Sequence, residues 1–108
     1  MAATNSFKLA DNKVVCVDAE LADLIPGFLK NRRRDVKSLL EALNTGDYQT
    51  IQTVAHQLKG VGGGYGFDVI TTIGGAIEQA AQQEIVVEIR KRIRELAAYL
   101  AQVKVRVA

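Results

Sequence analysis

The chain holds one histidine, His56, in the run His56-Gln57-Leu58-Lys59-Gly60. Residues three and four apart share one surface of a helix. On a helix, this run sets an imidazole, an ammonium and a bare patch of backbone side by side. Gly63 lies one further turn along the same surface. An imidazole that is largely neutral near pH 7 is a nucleophile. A cation beside it offsets the charge of an incoming phosphoryl group, and glycines let a partner come close. A lone helical histidine is more often a plain surface or capping residue. Its neighbours raise this one above that reading, because Ile51, Val54, Ala55 and Leu58 form the inward stripe and leave His56 off its centre.

Other chemistries fall away by residue count. One histidine excludes a His–His metal pair and every two-histidine mechanism. One cysteine, Cys16, excludes an internal disulfide or a zinc cluster and suits a reducing compartment. Cys16 sits in the apolar run Val14-Val15-Cys16-Val17 and reads as buried and inert. No acidic cluster stands ready to hold a metal, so neither a metal nor a cofactor is assigned. The run Gly60-Val61-Gly62-Gly63-Gly64-Tyr65-Gly66 lacks GK[ST], puts Tyr65 where a GxGxxG begun at Gly60 needs glycine, and follows no strand; it does not read as a nucleotide loop. Arg32-Arg33-Arg34 could contact nucleic acid or an acidic partner, but such a run is more often a solvated helix face, and Arg90-Lys91-Arg92 with Arg94 reads the same way. The net charge of +2 is too small to mark a nucleic-acid binder.

The elements that position His56 read as helices. The length of 108 residues, with 48% hydrophobic and 24% charged, suits one globular domain and argues against disorder. Residues 1–13 show no periodicity and read as a mobile lead, with the domain over 14–108. Lys13 to Val17 reads as an extended strap across a helix. Asp18 is placed to cap a short helix over Glu20–Ile25, and Pro26 ends it or opens the next. From Gly27 to about Asn44, Phe28, Leu29, Val36, Leu39, Leu40 and Leu43 share a face, and Gly46 is a stop. Asp47 can cap the helix that carries His56, which the glycines from Gly60 to Gly66 weaken at its end. Asp68 can cap a further helix with Val69, Ile70, Ile73, Ile77, Ala80 and Ala81 inward. After Gln82-Gln83-Glu84, the steps from Val86 through Ile89, Ile93, Leu96, Leu100 and Val103 to Val107 predict one last helix. Short links favour antiparallel neighbours. The expected fold is all-α, an antiparallel up-down four-helix bundle with a short extra N-terminal helix.

The pattern H-x-L-K-G-x(5)-G, from His56 to Gly66, resembles the signature of histidine-containing phosphotransfer (HPt) domains of two-component phosphorelays. The likeness extends to Ile70 and to Ile77-Glu78, and the helix layout matches from about Asp18 to Val107. The resemblance implies a four-helix bundle that carries a phosphoryl group on one exposed histidine and exchanges it with aspartates of receiver domains. Carried over by position, His56 is the phosphoacceptor, Lys59 stabilises the phosphate and Gly60 gives access, with Gly63 beside it. Glu78 matches the position whose polar side chain orients the histidine ring. Whether Glu78 meets the ring turns on the rotation of two helices, which Gly74 and Gly75 leave open. Gly62-Gly63-Gly64 departs from the family, where Ser, Ala or Asn is more usual, and removes an expected hydroxyl contact to the phosphate.

By the same resemblance the partner is a response-regulator receiver domain that brings its own aspartate and Mg²⁺, with a hybrid sensor histidine kinase as a further candidate. No kinase ATP-binding motif is present, so the chain reads as a phosphocarrier and not an enzyme. The alternative is a helical docking or adaptor module without phosphotransfer. No apolar run approaches the ~20 residues of a membrane span. The expected site of action is the cytoplasm, with neither a membrane nor a nucleic acid as partner.

Overall fold

The computed structural model describes residues 13–107. The expected lead over 1–13 therefore lies, apart from Lys13, outside the described residues. Strand β1 (Val14–Val17) is followed by a 3-10 turn (Ala19–Leu24) and four α-helices: α1 (Ile25–Asn44), α2 (Tyr48–Gly64), α3 (Asp68–Gln82) and α4 (Val86–Gln102). Strand β2 (Lys104–Val107) closes the order. Helix α2 packs most extensively on α3, α3 packs on α4, α4 on α1, and α1 on α2, so the four form a ring around one core. Leu39, Ile51, Leu58, Ile70, Ile77, Ile89, Ile93 and Leu96 are fully buried there. Each such side chain contributes about 1.5–3 kcal/mol through its removal from water.

The links between helices share one device. After α1, Asp47 N–H donates to Ala42 C=O and Gly46 N–H to Leu43 C=O. After α2, Phe67 N–H donates to Gly62 C=O and Gly66 N–H to Gly63 C=O. After α3, Ile85 N–H donates to Ala80 C=O and Glu84 N–H to Ala81 C=O. Each is a Schellman closure, which needs a left-handed residue just past the helix. Gly46 and Gly66 supply it at φ +68° and +86°, whereas Glu84 adopts φ 54° without being glycine. The Asp47 side chain accepts from the Thr50 backbone N–H at 3.1 Å and from its hydroxyl at 2.6 Å. These bonds hold the Asp47 carboxyl below the usual carboxylate range.

Several expectations need correction. Residues 14–17 are not a strap across a helix but a strand paired in parallel with β2, in the register Val14 with Lys104 through Val17 with Val107. Parallel pairing needs a long crossover, and here the whole bundle is that crossover. The last helix stops at Gln102, and Val103 to Val107 leave it as extended chain. Cys16 is exposed, because strand alternation turns Val15 and Val17 into the core and Cys16 outward. The short N-terminal helix is present, as a 3-10 helix over Ala19–Leu24. It begins with Leu21 N–H bonding Asp18 C=O, and the Asp18 side chain caps nothing. Pro26 opens α1 within its first turn. Asp68 is the first residue of α3 and not its cap; that position is Phe67. The Asp68 carboxylate still favours the helix N-terminus through the macrodipole.

Candidate functional site

His56 lies in the middle of α2, and its side chain is 72% exposed. Its ring is not free to turn. Nδ1–H donates to Oε2 of Glu78, on α3, at 2.9 Å. The other carboxylate oxygen of Glu78, Oε1, lies 3.9 Å from Nζ of Lys59. One carboxylate thus stands between the imidazole and the ammonium, and it is the most sheltered of the three groups, at 19% exposure. A carboxylate can only accept, so it holds the ring as the Nδ1–H tautomer and leaves the Nε2 lone pair toward solvent.

What brings Glu78 to His56 is a glycine one helical turn before it. A Cβ on Gly74 would stand 2.8 Å from the backbone N of Lys59, 3.0 Å from the carbonyl O of Ala55 and 3.0 Å from Cβ of Leu58. The bare Cα of Gly74 lets α3 press against the backbone of α2 at the turn that carries His56. That contact sets the rotation that the sequence left open. Gly75 lies beside it, where a Cβ would be 3.7 Å from Cδ of Lys59, so the lysine stem runs over this position toward Glu78.

The other glycines divide into two kinds. A Cβ on Gly62 would meet the backbone N of Thr71 at 2.8 Å and the carbonyl O of Phe67 at 2.9 Å, so packing demands glycine there. Gly60 and Gly64 have nothing within 4 Å of such an atom, and Gly63 has only Oγ1 of Thr71 at 3.7 Å. Packing therefore leaves room for a side chain at Gly60, Gly63 and Gly64, and the surface beyond His56 is open. The Thr71 hydroxyl is buried without a hydrogen-bond partner among the described residues. It borders Gly62 and Gly63. Past this stretch, Phe28 packs tilted against Tyr65 and stacked on Phe67, with centroids 4.4 and 5.1 Å apart, which ties the turn after α2 to the start of α1.

Sequence reasoning named His56, Lys59, Gly60, Gly63 and Glu78, and the structure gathers all five along the α2–α3 surface. It missed the packing role of Gly74 and the reach of Lys59 to Glu78. A glycine in an otherwise apolar helical stripe was the available signal for the first. Among the described residues no group of three His, Cys, Asp or Glu side chains could hold a metal ion.

A ring of four helices thus presents one exposed histidine whose ring is held by a carboxylate of the next helix. The Hpt domain family model matches residues 23–105, and the chain belongs to that family. No curated protein and no solved structure matches it. Hpt domains are phosphocarrier modules rather than kinases, and membership implies a phosphotransfer role in two-component signalling.

The contact of Glu78 with the ring has a direct spectroscopic test. Glu78→Ala removes the acceptor, so the ring nitrogen shifts of His56 move away from the Nδ1–H tautomer and the ring loosens, while the bundle stays folded. Unchanged nitrogen shifts in this variant would show that the carboxylate does not orient the ring.

Proposed function

We propose that His56 is the phosphoacceptor of a phosphorelay and exchanges its phosphoryl group with an aspartate of a receiver domain. The single observation that carries this reading is the 2.9 Å bond from Nδ1–H to Glu78 on a ring that is otherwise exposed. It presents Nε2 outward as a nucleophile. In the forward step Nε2 attacks the phosphorus of the aspartyl phosphate. The N–P bond forms, the P–O bond to the aspartate breaks, and the aspartate carboxylate leaves with the electron pair. The ring becomes a phospho-imidazolium whose Nδ1 proton stays on the bond to Glu78, where the carboxylate offsets the new positive charge. The receiver supplies Mg²⁺ along with its aspartate.

Lys59 is 54% exposed and only loosely held by Glu78, so its ammonium is free to turn toward the phosphoryl oxygens. Gly60 and Gly63 leave the path of the receiver clear. The direct test is incubation with a phosphorylated receiver domain. Transfer of label to His56 supports the reading, and its absence with a competent receiver counts against it. Lys59→Ala slows transfer in both directions by about tenfold. That is less than the 10²–10³ typical of a donor in an enclosed site, because this one faces water. Its folding stability changes by less than about 0.5 kcal/mol. Unchanged rates with a large stability loss would make Lys59 structural. Gly63→Leu blocks the receiver sterically while a small phosphodonor still labels His56; equal reaction of the receiver with both forms would mean that its approach does not pass over Gly63.

The same reading takes the ring of helices as an antiparallel up-down bundle, supported by three-residue links at 45–47, 65–67 and 83–85. It also places the protein in the cytoplasm with its relay partners, a receiver and a hybrid sensor kinase. No helix among the described residues is long and apolar enough to cross a membrane.

A further inference from the structure

Helix α4 carries its charges unevenly paired. Arg92 takes both neighbouring carboxylates, Nε bonding Glu88 at 2.8 Å and Nη1 bonding Glu95 at 2.8 Å. Arg90, Lys91 and Arg94 are left without a carboxylate in ion-pair range among the described residues. These three cations line a shallow hollow together with Glu95, whose carboxylate is taken by Arg92, and Val87, which is 77% exposed. Further along α4, Ala97 and Ala101 floor a second hollow, bordered by Arg33 and Val36 of α1. Arg33 is also unpaired among the described residues, since the carboxylate of Asp35 goes to Arg32. From Val87 to Ala101 the surface runs about 21 Å at 1.5 Å per residue.

We propose that this surface docks an acidic amphipathic helix of a partner protein. The small alanines leave room for another helix, Val87 offers an apolar contact at one end, and the arginines flank the groove where carboxylates of such a helix would lie. Nucleic acid fits less well, because the whole chain carries only +2 and its cations here are interrupted by Val87 and alanines. A lipid surface fits less well too, since the large apolar residues of α4, Ile89, Ile93, Leu96 and Leu100, are buried in the core and cannot insert. The chief neighbours of α4 are α1 and α3, so it lies across the bundle from α2 and His56. A partner bound here leaves the phosphoacceptor open, and the surface does not depend on the phosphotransfer reading.

The probe is a helical peptide of about 14 residues, with leucines at i, i+3, i+7 and i+10 and glutamates beside them. Binding to the whole chain is expected to shift amide resonances of α4 and α1 and to weaken as salt rises. The exposed double substitution Arg90→Glu with Arg94→Glu should weaken it about tenfold or more through loss and reversal of rim charge. The double variant should keep its helical signal and its His56 reactivity. The proposal is overturned if the peptide does not bind, if the double variant binds it as well as wild type, or if a lysine-for-glutamate peptide binds equally. It is also overturned if shifts centre on α2, or if a DNA duplex or phosphatidylserine vesicles are bound more tightly than the peptide.

Discussion

His56→Gln is expected to abolish phosphorylation by a phosphorylated receiver domain and to leave the fold intact. The label carried by wild type should be stable to alkali and labile to acid, as a phosphoramidate is. Glutamine keeps a polar group that can still bond Glu78, but it has no ring nitrogen to attack phosphorus. Because the side chain is mostly exposed, the substitution should change stability by less than about 0.5 kcal/mol. Labelling and thermal unfolding of both proteins under one protocol decide the matter. Undiminished labelling of the variant would remove His56 from the proposed chemistry, and with it the roles drawn for Lys59 and Glu78.

The second large effect concerns a residue that touches no phosphate. Gly74→Ala should destabilise the bundle although alanine is the better helix former. Its Cβ would meet backbone N and O atoms of α2 at 2.8 and 3.0 Å, and backbone cannot swing aside as a side-chain end can. Overpacking of this kind costs about 1–3 kcal/mol, against a gain in helix propensity of at most ~1 kcal/mol. To relieve the contact α3 must draw back from α2, taking Glu78 from His56, so the ring should also lose its Nδ1–H preference. The same replacement at Gly60 has the opposite sign. Nothing lies within 4 Å there, so Gly60→Ala should stabilise the protein by about 0.5–1 kcal/mol. Denaturant unfolding of the two variants gives the comparison. Equal stabilisation by both would show that Gly74 is not a packing glycine.

These two substitutions also mark what could be read without coordinates. The face on which His56, Lys59 and Gly60 stand together follows from helical spacing within one element. Local signals were legible for the same reason: Asp47 caps α2 and Gly46 ends α1, each through contacts a few residues away. The closure at Glu84 was not legible, because its left-handed residue is not a glycine. The apolar stripes of the four helices were read from period alone; Leu39, Ile51, Leu58, Ile77, Ile89 and Leu96 are buried as that period requires, whereas Leu40 and Val86, at the edges of their stripes, are exposed.

The chain ends show where a one-dimensional pattern stops. Val103 and Val107 are four apart, which continues a helical seam. With Val105 they also alternate, which suits a strand. Valine tolerates both and favours the strand when a partner exists. The partner is β1, some ninety residues away in sequence, and only the folded bundle brings the two runs together. Cys16 turned outward for the same reason. In the candidate site, His56, Lys59, Gly60 and Glu78 could be named from the sequence alone. That Glu78 meets the ring was decided by tertiary structure, because a helix fixes the face of each of its own residues but not its rotation against a neighbour. Here the rotation is set where the two backbones come close, at Gly74 beside the turn of His56 and at Gly62 against Thr71.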